Sequence, residues 1–215
     1  MKINNIKTSE HVFIAGSTGS GKTILAKAYL SRKKNVVVLD TKGTYYFEPF
    51  LLNDDYVIID ELERLEQASK HYDKIVYRPK LKELHYTYFE LFFEWCYFRK
   101  NTTVLVDEAM QISNNPHVIP EYYKGILTRG RELNVNVWSL TQRPTGINQI
   151  IMTEATHYFI FRLTHINDRK KIRDITGQDD FIKIPDGFKF RYWKAGEFNT
   201  ELGILKIKEE VLWLI

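Results

Sequence analysis

Apolar residues along this chain follow two alternating rhythms. Short runs rich in Val, Ile and aromatic residues, at 12–15, 36–40, 57–60, 74–77, 104–107, 135–140 and 158–161, read as strands. Between them lie segments with helical spacing, at 21–32, 61–71, 82–100, 119–133 and 167–176. In the fourth, Ile119, Tyr122, Tyr123, Ile126 and Leu127 recur at i, i+3, i+4, i+7 and i+8 and form one apolar stripe. Strands that are apolar throughout and separated by helices predict a mostly parallel sheet with helices on both faces, an α/β fold. After Gly177 the pattern changes: Pro185-Asp186-Gly187 precedes apolar runs at 188–193 and 203–207, which predicts a C-terminal β-hairpin. With no repeat, low-complexity tract or linker, 1–215 is expected to be a single domain, its core at about 10–177 and the hairpin at about 178–215.

Composition narrows the setting. Hydrophobic residues at 44% and charged residues at 27% are ordinary for a soluble domain. The net charge of +4 is compatible with a nucleic-acid partner but too small to identify one. A single cysteine, Cys96, excludes an intrachain disulfide and suits a reducing compartment, the cytoplasm by default. The six histidines are scattered without metal-ligand spacing. The first residues carry no apolar leader, and the stretch 88–98, interrupted by Glu90 and Glu94, is too short to span a bilayer, so no transmembrane segment is expected. That aromatic stretch reads as a helix buried against the sheet.

Chemistry enters at Gly16-Ser17-Thr18-Gly19-Ser20-Gly21-Lys22-Thr23, which satisfies G-x-x-x-x-G-K-[ST] at every fixed position and lies between a predicted strand and a predicted helix. Its glycines let successive amides turn toward phosphate oxygens, and the following helix adds its positive N-terminal end. Lys22 would neutralise the outer phosphates of ATP, and Thr23 would offer a hydroxyl to Mg2+. The run Thr103-Val104-Leu105-Val106-Asp107-Glu108 resembles a Walker B motif. Asp107 would hold the metal through water, and Glu108 would orient or deprotonate the attacking water. Ligands on parallel sheets sit beyond the carboxyl ends of the strands, which adds Asp40 and Gln142 to the candidate site.

These strand endings carry a family resemblance. The stretch Arg131-Glu132-Leu133-Asn134-Val135-Asn136-Val137-Trp138-Ser139-Leu140-Thr141-Gln142-Arg143-Pro144 is similar to the arginine, strand and Thr-Gln-Arg-Pro element of the FtsK–HerA superfamily of DNA-translocating ATPases. Asp40-Thr41-Lys42-Gly43 resembles that family's Asp-Pro-Lys-Gly turn, with Thr41 departing from proline. The resemblance covers roughly residues 10–175 and implies a RecA-like P-loop NTPase of the ASCE division. It also implies a homo-oligomeric ring, usually a hexamer, in which Arg131 reaches a neighbour's ATP. Arg129 is the alternative, about 200° away around a helix, so only one of the two can face the neighbour.

A motor this compact resembles the genome-packaging ATPases of icosahedral viruses with an internal membrane. That resemblance implies double-stranded DNA as cargo, capsid or portal-vertex proteins as partners, and the host cytoplasm or the virion as location. Candidate DNA contacts are the loop 111–117 and the basic residues Arg169, Lys170, Lys171 and Arg173. An ATPase driving protein assembly or secretion is the main alternative. A small-molecule kinase is disfavoured by the lack of an arginine-rich lid, and a GTPase by the lack of Asn-Lys-x-Asp.

Overall fold

The computed structural model describes residues 6–43, 56–112, 115–207 and 212–214. Seven parallel strands form the body of one sheet: β1 (Val12–Ala15), β2 (Val36–Leu39), β3 (Tyr56–Ile59), β4 (Lys74–Tyr77), β5 (Thr102–Val106), β6 (Val135–Thr141) and β7 (His157–Ile160). Three antiparallel strands extend it: β8 (Lys189–Lys194), β9 (Glu201–Ile207) and β10 (Leu212–Leu214). The order across the sheet is β10-β9-β8-β7-β1-β6-β5-β2-β4-β3. The C-terminal hairpin is therefore part of the main sheet, hydrogen-bonded to β7, two strands from the glycine-rich loop.

The helices are α1 (Lys22–Leu30), α2 (Arg64–Ser69), α3 (Tyr86–Arg99), α4 (Glu121–Leu133), α5 (Ile150–Thr153) and α6 (Ile166–Thr176). Alternate side chains of the strands feed two separate cores. Val12, Ile14, Val36, Val38, Trp138 and Phe159 pack with Leu25, Ala26 and Leu30 of α1. Phe13, Val37, Val104 and Val137 pack on the other face with residues of α2 to α6. The expected cover on both faces is present, with α1 on one side and the other five helices on the other.

Helix α3 is buried through Phe89, Phe92, Phe93 and Cys96. Phe93 stacks on Tyr123 of α4 at 4.3 Å, and the Tyr123 hydroxyl bonds Ser139 Oγ of β6 at 2.6 Å. Glu90 serves a different purpose: its Oε1 accepts from the amide of Tyr122, one of the otherwise unpaired N–H groups in the first turn of α4. The stripe read from 119–127 thus joins α4 to α3 and to the sheet at once. Asn134, in the left-handed conformation (φ 53°), ends α4 and turns the chain directly into β6.

Sequence patterning missed α5 and β10, each four residues or fewer. It also began α3 too early, because Leu81–Glu83 forms a separate 3-10 turn. Residue His85 then caps α3, accepting from the Thr87 amide through Nδ1. No helix among the described residues is long and apolar enough to cross a membrane.

Candidate nucleotide site

The glycine-rich loop is suspended between two strand ends. The Gly16 amide donates to the Thr141 carbonyl of β6 at 3.2 Å, and the Ser17 amide to the Arg162 carbonyl just beyond β7 at 2.8 Å. Gly19 (φ 73°) and Gly21 (φ 103°) adopt backbone conformations that L side chains rarely take, which allows the loop to close onto α1 with Gly21 as its N-cap. Lys22 is buried, and its Nζ donates to the carbonyls of Gly16 at 2.7 Å and Ser17 at 3.1 Å. Burial pushes its ammonium down to about 8, opposed chiefly by the charge of Glu108. Ser20 Oγ is buried and has no hydrogen-bond partner among the described residues. A buried cation, an unpaired hydroxyl and amides curled around a helix N-terminus fit a polyphosphate.

Thr23 Oγ1 donates to Asp107 Oδ1 at 3.0 Å, bringing the start of α1 onto the end of β5. Burial raises the carboxyl of Asp107, and the nearby charge of Asp40 adds to the effect. This hydroxyl and carboxylate, both hard oxygen donors, could hold Mg2+ beside a phosphate.

Glu108 is almost completely buried and held from two directions. Its Oε2 is paired with Lys42 Nζ at 2.6 Å, and its Oε1 accepts from the Gln142 amide at 3.4 Å. The Gln142 side chain reaches across to the loop, where its Oε1 accepts from Thr18 Oγ1 at 2.8 Å. Strand β6 lies between β1 and β5, so its tip stands between the phosphate loop and the Asp107-Glu108 pair and bonds to both.

Other sequence candidates lie further away. Asp40 is wholly buried at the end of β2, with Oδ2 paired to Arg78 Nε at 2.9 Å, and its charge acts on Asp107. Arg131 occupies the last turn of α4, and its charge acts on His11, which precedes β1. It therefore sits at the amino end of the strands, about 16 Å along β1 from its own loop. Arg129 and Arg131 are both exposed. Of the basic group, Arg169 donates to the carbonyls of Leu163 and Thr164, Lys171 to that of Ile147, and Arg173 to Asp174. In the loop 111–117, residues 113 and 114 lie outside the described residues.

Two further side chains hold the site together through contacts that sequence spacing does not show. Lys42 lies in the turn after β2, and nothing local in the sequence indicates that it pairs with Glu108. Asp168, buried in the first turn of α6, accepts from Arg143 Nε at 3.0 Å and from the amide and hydroxyl of Thr145. It fixes the Thr-Gln-Arg-Pro segment from 25 residues away in sequence, so no spacing rule could have found it.

The family model for the DNA-binding domain of type IV secretion-system coupling proteins matches residues 2–70. The DNA packaging ATPase P9 of Enterobacteria phage PRD1 is 27% identical over 194 residues, which cover 83% of this chain and 75% of the phage protein. The chain resembles the FtsK–HerA superfamily and, within it, the viral genome-packaging ATPases. The genome packaging NTPase B204 of Sulfolobus turreted icosahedral virus 2, in complex with AMPPCP, superposes with a TM-score of 0.77 at 15% identity. That match covers 94% of this chain and 100% of B204, so the two chains share one fold over nearly all of their length. VirB4 of Thermoanaerobacter pseudethanolicus shares the fold at a TM-score of 0.69 and 10% identity, covering 93% of this chain and 90% of VirB4.

Proposed function

We propose that this protein is an ATP-hydrolysing motor that drives double-stranded DNA into a preformed viral capsid. The observation that carries this reading is the convergence of Lys22, Thr23–Asp107 and Glu108–Gln142 on one loop, in a chain similar over most of its length to a phage packaging ATPase.

Lys22 exchanges its bonds to the Gly16 and Ser17 carbonyls for the β- and γ-phosphates of ATP, assisted by the loop amides and the N-terminus of α1. Thr23 and Asp107 hold Mg2+, which when bound draws charge from the phosphate oxygens. Glu108 receives a proton from the attacking water, and Gln142, bonded to both the loop and Glu108, registers whether the terminal phosphate is present. Arg131, at the opposite end of the strands from its own loop, reaches the nucleotide of a neighbouring subunit, which makes hydrolysis depend on a ring, a hexamer in this reading. The residues of 111–117 contact the DNA backbone without reading sequence. The protein acts in the host cytoplasm or on the virion.

A third-strand displacement assay tests the motor reading. ATP should drive release of a triplex-forming oligonucleotide from linear duplex DNA, and Glu108→Gln should abolish release. Hydrolysis without displacement would favour a protein cargo.

A further inference from the structure

Asp107, Glu108 and Gln142 all lie at the ends of β5 and β6, on one flank of β1. On the reading of the loop as the phosphate site, a nucleotide whose terminal phosphate faces them points its sugar and base toward the other flank, past β7. Strand β8 runs antiparallel to β7, so the residue preceding β8, Phe188, stands at the same end of the sheet as the loop. Its position is fixed by a backbone bond from the Leu205 amide to the Phe188 carbonyl at 3.0 Å.

Side chains from this flank crowd the outside of the loop. A Cβ placed on Gly21 would lie 2.8 Å from Leu205 Cδ2, 3.4 Å from Phe161 Cε1 and 3.5 Å from Phe188 Cδ1. Phe161 and Leu205 are buried, whereas Phe188 is 45% exposed. Single exposed apolar residues are common on protein surfaces. This one is an aromatic ring, beside the N-terminus of the phosphate-binding helix, on the side toward which the nucleoside points on that reading.

We propose that Phe188 is the platform on which the base of the nucleotide stacks, with Leu205 supporting it. This assignment rests on reading the glycine-rich loop as the nucleotide site, and it gives the C-terminal hairpin a part in binding. Recognition is by the face of the base, so purine nucleotides bind more tightly than pyrimidine nucleotides because they offer a larger stacking surface. Truncating an aromatic platform of this kind weakens base binding by roughly tenfold or more.

The test compares Mg·ATP with Mg·tripolyphosphate, which has the phosphates but no base, by isothermal titration of the full chain. Phe188→Ala should weaken ATP about tenfold and leave tripolyphosphate unchanged, Phe188→Tyr should retain ATP affinity, and Lys22→Ala should weaken both ligands. Unchanged ATP affinity in Phe188→Ala, or equal loss of both ligands, overturns the stacking assignment while the phosphate site stands. A wild-type protein that binds neither ligand overturns the nucleotide reading and the base platform with it.

Discussion

Lys42 Nζ and Glu108 Oε2 lie 2.6 Å apart, joining the turn after β2 to the tip of β5. Glu108 is nearly inaccessible, so removing its partner leaves a carboxylate with, among the described residues, only the longer bond from the Gln142 amide. Lys42→Met should cost about 1–3 kcal/mol of stability and lower turnover at least tenfold with little change in KM, because the carboxylate loses its aim rather than the site its phosphates. A denaturation cycle with Glu108→Gln should show the two substitutions to be non-additive; additive losses would mean that the pair is not coupled.

The Gln142 side chain bonds the phosphate loop from the tip of β6, through Thr18 at 2.8 Å. Gln142→Ala should leave ATP affinity within about threefold of wild type and reduce turnover by about a hundredfold, the scale on which loss of an orienting group acts. Equilibrium binding together with steady-state kinetics separates the two effects.

Arg131 stands at the far end of the strands from its own Lys22, so the two should act in different subunits. Arg131→Ala and Glu108→Gln should each be nearly inactive alone, yet mixing them should restore hydrolysis, since each subunit supplies what the other lacks. The same mixture made with Arg129→Ala in place of Arg131→Ala serves as the control, because Arg129→Ala alone should retain activity.

His11 predicts a pH dependence of stability. It is buried, accepts from the Val137 amide at 3.0 Å and bonds the Leu127 carbonyl; burial, reinforced by the charge of Arg131, lowers it to about 4 from an ordinary 6.5. Above pH 6.5 both folded and unfolded chains carry it neutral. As pH falls toward 4 only the unfolded chain takes up the proton, so stability declines by about 3 kcal/mol across that window. Urea denaturation at pH 7 and pH 4.5 should show this loss, and His11→Gln should flatten its His11 component.

Much of this site was readable because its parts are local. The glycine-rich loop, the Asp107-Glu108 ending and the Thr-Gln-Arg-Pro segment each lie within a dozen residues, and the continuous apolar runs placed all seven parallel strands. What the sequence hid depends on contacts across the sheet. Lys42 meets Glu108 over 66 residues, and Asp168 meets Arg143 over 25. Phe188 reaches the loop only because β8 adds next to β7, and strand order cannot be read from a pattern of hydrophobicity. Asp40, marked by its place at a strand end, also makes a pairing across the sheet that no local pattern shows, with Arg78 Nε at 2.9 Å.

If ATP hydrolysis at this loop is coupled to duplex DNA, steady-state turnover measured with and without double-stranded DNA reads the coupling, with Glu108→Gln as the inactive reference. Double-stranded DNA should stimulate turnover severalfold, and the stimulation should disappear in Glu108→Gln. Turnover that is unaffected by DNA at every concentration would contradict the coupling.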